Sequence, residues 1–168
     1  MNLRSIAGAA ALALLSSVGA TAARAGTAQV SFVQPERFTD AGDTGAERDA
    51  NLRVLSTELQ ALAARLLPAD QSLTVEVLEV DLAGDNRPTQ RGRIRIGHDD
   101  GRDPARLTLR YTLSGGGKVL RSTEAKLDDF GTPRGLAAAR PDGPLAAERA
   151  LLARWFQQEF VATPPGGG

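Results

Sequence analysis

Five leucines, Leu52, Leu55, Leu59, Leu62 and Leu66, recur at steps of three and four through the segment "ANLRVLSTELQALAARLLP". That spacing predicts an amphipathic helix with one apolar stripe, closed by Pro68. A stripe of this kind folds only against another apolar surface. The next segment, "QSLTVEVLEVDL", offers one: Leu73, Val75 and Val77, with Glu79 in phase, alternate with Thr74, Glu76, Leu78 and Val80. Both faces of this strand carry apolar residues, which predicts a long or central position in a sheet.

The remaining pattern extends that pairing of helix and sheet. "AQVSFVQPERF" reads as a short strand stopped by Pro35, and "FTDAGDTGAERDA" is dense in turn formers. Asp40, Asp43 and Thr44 precede the leucine helix as candidate N-caps, a role worth about 1 kcal/mol. "GDNRPTQRG" reads as a loop. "RIRIG" and "ARLTLRYTL" read as a third strand region interrupted by "HDDGRDP", "SGGG" as a hairpin turn, and "KVLRSTEAKL" as the returning partner. After a Gly/Pro-rich stretch, "LAAERALLARWFQQEF" places Leu145, Leu152, Trp155, Phe156 and Phe160 on one helical face. The expected fold is α+β, a two-layer sandwich in β-α-β-β-β-α order. A mostly antiparallel four-stranded sheet carries both helices on one face. Its first two strands flank a helix and would be parallel if adjacent, and its other face would be wet or would meet a partner.

The N-terminus predicts export. Arg4 precedes the short apolar run "IAGAAALALLSSVGA", and "ARA" ending at Ala25 fits the small-x-small rule for a signal peptide over residues 1–25. The run is shorter than the roughly 20 residues a spanning helix needs. One domain over residues 26–162 and a disordered tail over 163–168 would follow. Cleavage removes Arg4 and Arg24 and no acid, so the 20 basic and 20 acidic residues become 18 and 20, a net charge of −2. Such a balance gives no global field for nucleic acid or for an anionic membrane. The absence of cysteine excludes disulfides, thiol catalysis and a lipoprotein anchor. A soluble periplasmic protein without a stable membrane anchor after cleavage is the expected localisation.

Candidate chemistry centres on acids at strand ends. Asp81 and Asp85 close the long strand, and paired carboxylates in such places recur in cation and acid–base sites. The plainer expectation is that both bond their own turn, with Gly84 at positive φ. Asp40 would join Asp81 at one edge of the sheet if their strands run parallel, and Asp128 follows the last strand. These four, Asp40, Asp81, Asp85 and Asp128, are the candidate binding residues.

No catalytic set, metal site or cofactor is expected. His98 is the only histidine, too few for a usual zinc site, and the G-x-S-x-G pattern of a nucleophile elbow is missing. "SGGGK" has the composition of a phosphate loop without its spacing or its helix. Arg91, Arg93 and Arg95 alternate along one strand face; this could meet phosphate-bearing lipid or a polyanion, and the preferred reading is charge protecting an edge strand from aggregation. Trp155 and Phe156 read as core.

The segments "VSFVQPERFTD", "LTVEVLEVDLAGD", "RIRI" with "LTLRYTL", and "ERALLARWFQQEF" also carry a resemblance. The chain resembles the uncharacterised bacterial envelope family known as domain of unknown function 3016. "GRDPA" departs from that pattern, which leads one to expect an aromatic beside the proline. The resemblance implies a periplasmic setting and supplies no catalytic residues.

The functional expectation is a non-enzymatic binding or envelope-accessory domain, with an envelope protein or small ligand as partner. The alternative is a carboxylate- or metal-dependent hydrolase built on the strand-end aspartates. A purely structural envelope protein is a third reading.

Overall fold

The computed structural model describes residues 25–90, 92–96, 103–128 and 143–162. The expected leader, His98, Arg91 and the C-terminal tail lie outside the described residues.

Strand β1 (Thr27–Phe32) ends before a short 3-10 turn that starts at Pro35. Helix α1 (Gly45–Leu66) follows; its N-cap is Thr44, whose Oγ1 accepts the Glu47 N–H at 3.1 Å. Strand β2 (Gln71–Asp81) lies between β1, to which it is parallel, and the antiparallel β5 (Arg106–Gly115). Strand β6 (Lys118–Asp128) closes the sheet in the order β1-β2-β5-β6. Helix α2 (Ala146–Phe156) runs on into a π turn over Gln157–Val161. The parallel first pair, the antiparallel remainder and the helix-covered face agree with the expected α+β sandwich.

The leucine stripe behaves as its spacing predicts. Leu52, Leu55, Leu59 and Leu62 are buried, and they meet Leu73, Val75, Leu109, Tyr111 and Leu113 from the sheet in one core. Trp155, Phe156 and Phe160 add an aromatic cluster beside Tyr111, with Tyr111 and Trp155 edge-to-face at 5.4 Å between centroids. Edge-to-face contact suits the positive rim and negative face of aromatic rings. The hairpin turn expected at "SGGG" is Gly116 and Gly117, both at positive φ, as a tight hairpin requires.

Two features differ from the sequence reading. The register of β2 shifts between Val77 and Glu79, leaving Leu78 as the extra residue of a bulge. Val80 therefore returns to the core face and is fully buried, whereas strict alternation puts it outside. Secondly, the expected loop after Gly84 is strand β3 (Asp85–Thr89), paired antiparallel with β4 (Gly92–Ile96) in a separate two-stranded sheet. Arg93 and Arg95 thus sit in a hairpin arm, not on an edge of the main sheet. Strand-like composition does not say which partner a strand takes.

Candidate functional site: the charged end of the sheet

β1 and β2 begin at one end of the sheet and β6 finishes at the other, so Asp81, Arg106 and Asp128 share the far end. The chain after β1 rejoins the sheet there. The Asp40 N–H donates to the Val80 carbonyl at 3.1 Å, and the Leu82 N–H donates to the Asp40 carbonyl at 3.0 Å. These two bonds make Asp40 a parallel ladder neighbour of Asp81. Asp81 is in turn paired with Arg106, and Arg106 with Asp128. Asp40, Asp81, Arg106 and Asp128 therefore form one row across the sheet, three carboxylates and one guanidinium.

Each group on the row has its own local partner. Asp40 Oδ1 accepts the Gly42 N–H at 3.0 Å, an Asx turn leading toward the N-cap of α1. Asp81 Oδ2 accepts from Arg106 Nη1 at 2.7 Å, with the Asp81 side chain 15% exposed. The turn bonding expected of Asp81 is thus found at Asp40, and Asp81 meets a cation across the ladder. Asp85 leaves the row: it opens β3 opposite Ile96. Gly84 takes φ 79°, as the turn demands, and its N–H reaches the Asp103 carbonyl at 3.2 Å.

One residue at this end is absent from the sequence reading. Glu148, in the first turn of α2, is 2% exposed and accepts the Ala83 N–H at 2.7 Å. It ties α2 to the segment that follows Asp81. A signal exists in hindsight, because Glu148 precedes Leu152 and Trp155 at helical spacing and therefore lies on the apolar stripe.

The open face of the sheet continues the pattern of charged rows. Arg110 donates to Glu124 Oε1 from Nη2 at 2.8 Å and to Glu76 Oε2 from Nη1 at 3.2 Å. Glu124 first, then Glu76, raises the pKa of that guanidinium. Thr112 and Ser122 share a hydrogen bond of 3.0 Å on the next row. On the covered side, Glu159 accepts from the Tyr111 hydroxyl and from Arg121. Burial, and then the bond to Glu159, push the Tyr111 pKa up to about 12.

Among the described residues, no group of three or more His, Cys, Asp or Glu side chains is arranged to hold a metal ion. Row geometry explains this: ladder neighbours stand side by side in a line, whereas a cation needs oxygens converging from several directions.

Fold and site together define a two-layer α+β domain with a mixed four-stranded sheet, one helix-covered face and a charged strand end. The family model described as Protein of unknown function (DUF3016) matches residues 26–158, and the chain belongs to that family. No curated protein matches the sequence.

Proposed function

We propose that the protein is a non-catalytic periplasmic domain that binds an envelope protein or small ligand through its charged strand end. The observation that carries this reading is the row Asp40–Asp81–Arg106–Asp128, built by three strands and a returning loop at one end of the sheet. Periplasmic residence is supported by the leader-like N-terminus. A core complete without disulfides suits a chain that must fold after export.

The hydrolase alternative draws on the adjacency of Asp40 and Asp81. Their carboxylates are engaged by Gly42 and Arg106 respectively.

The test is affinity capture from envelope extract, with the wild-type chain and the D40N/D128N variant as baits. A specific partner retained by wild type and depleted with the variant is the expected outcome. Equal recovery with both folded baits, or no specific recovery by either, would reject the charged row as the contact surface.

A further inference from the structure

The two edges of the main sheet differ in kind. β1 has 6 residues and is followed by the 3-10 turn at Pro35, whereas β6 runs for 11 residues. β5 lies on one side of β6, and no strand among the described residues lies on the other. The register of β6 against β5 shifts at Leu120, which stands between the Leu113–Arg121 and Ser114–Val119 pairs. The exposed Val119 and Leu120 make the β5–β6 turn apolar, and neither lies beyond this break. From Ser122 to Asp128 the strand is regular and free of proline, and only Ala125 and Leu127 are half-buried there. Such an edge presents a row of backbone N–H and C=O groups to a further strand.

The charges along this edge are self-complementary. On the open face Glu76, Arg110 and Glu124 are ladder neighbours across β2, β5 and β6, two acids about one guanidinium, and their row reaches the edge at Glu124. Lys126, also exposed, follows two residues later on the same face. An antiparallel pairing of β6 with β6 of a second copy, centred on Ala125, sets Glu124 opposite Lys126 on both sides of the two-fold axis. Each row then continues as acid, cation, acid, cation. On the covered face the same pairing sets Thr123 opposite Leu127 and the small Ala125 opposite itself. Centring one residue earlier or later, on Glu124 or Lys126, puts like charges directly opposite, which is destabilising. Centring on Thr123 brings Lys126 against the break at Leu120.

We propose that the protein forms a two-fold homodimer in which the Ser122–Asp128 edges of two copies pair antiparallel about Ala125, joining two four-stranded sheets into one. Strand addition at an exposed edge supplies main-chain hydrogen bonds, and the alternating side chains supply selectivity. A lysine on an edge strand ordinarily discourages pairing with other strands. Opposite Glu124 it favours pairing with a second copy instead, so the edge selects its own kind. One short ladder is a small interface, so the dimer is weak and its population follows concentration. The proposal is independent of the partner assigned to the charged row, and either can fail alone.

Sedimentation of the purified full chain across the micromolar range tests this without any other partner. Wild type is expected to pass from monomer to dimer, and K126E and E124K each to dissociate about tenfold more readily. An equimolar mixture of K126E and E124K should regain wild-type association, because each copy then supplies the charge that the other lacks. The chain has no native cysteine, so single cysteines report the register. Directly opposite residues have Cα atoms about 4.5–5.5 Å apart, within disulfide range. Ala125→Cys should therefore cross-link on mild oxidation, whereas Thr123→Cys, about 14 Å from its copy in this register, should not. Native far-ultraviolet circular dichroism qualifies each variant, and the cysteine pair keeps the test open should a charge reversal unfold. A monomer at every concentration, association that both charge reversals leave unchanged, no recovery in the mixture, or faster cross-linking at 123 than at 125 would overturn the proposal.

Discussion

Glu148 and Ala83, 65 residues apart, are joined by a 2.7 Å hydrogen bond from the Ala83 backbone N–H to the Glu148 carboxylate. The bond fastens the start of α2 beside the end of β2. The carboxylate also sits in the first turn of a helix, where the dipole favours negative charge. Replacing it with alanine removes this acceptor from a part-buried backbone donor. Glu148→Ala is expected to lower unfolding free energy by about 2 kcal/mol, with Glu148→Gln losing less because an acceptor oxygen remains. Urea denaturation of the two variants measures this, and equal losses would mean that the acceptor is not what matters.

Tyr111 sets an alkaline limit on stability. Its pKa is held at about 12 in the fold, against about 10 in an unfolded chain. A raised pKa means that the folded protein keeps a proton the unfolded chain gives up. The contribution is thus fully present below pH about 10 and is lost as pH rises toward about 12. Since Tyr111 is the only tyrosine, an ultraviolet absorbance titration assigns the group directly. Tyr111→Phe should flatten the fall in stability across that window. An unchanged slope would show that burial and Glu159 do not hold the proton.

Phe156 is fully buried, whereas Val119 is 65% exposed. Phe156→Ala empties a core site between α2 and the aromatic cluster and is expected to cost about 3–5 kcal/mol. Val119→Ala removes little buried surface and should stay within about 0.5 kcal/mol of wild type. Thermal or urea unfolding of the pair tests whether the apolar turn is surplus to the fold. A large loss from Val119→Ala would make it part of the core.

Arg106 and Arg110 are both flanked by acids on the sheet, yet their partners differ in exposure. Asp81 beside Arg106 is 15% exposed, while Glu76 and Glu124 beside Arg110 are 42% and 50% exposed. Arg106→Ala leaves a mostly buried carboxylate without its cation and should cost about 1–2 kcal/mol. Arg110→Ala should have a smaller effect that fades with added salt, because water already screens its partners. Melting curves at low and high salt separate the two, and the reverse ranking would contradict this assignment.

Where the pattern is local, the sequence is legible. The leucine stripe of α1, the stop at Pro35, the glycine hairpin at Gly116–Gly117 and the aromatic stripe of α2 each depend on neighbours within a few residues. Helical and strand periodicity report them directly. The candidate acids were legible one by one, and the parallel strands implied that Asp40 and Asp81 would share an edge. Their alignment with Arg106 and Asp128 was not, because register depends on a bulge at Leu78 and on a loop returning to the sheet at Asp40.

Glu148 shows the same limit from the other side. A carboxylate near a helix start reads as a solvated cap residue until Ala83 is known to face it. The pairing of β3 with β4, away from the main sheet, is likewise a choice among strand partners that composition leaves open.

By itself the sequence determined which segments coil and which extend, and the apolar stripes they must bury, since these follow from backbone preference and side-chain period. Only the tertiary structure decided which charges stand beside one another and which end of the sheet carries the apolar turn. Those relations depend on strand register and chain direction in space, and residues far apart in sequence contribute to them equally.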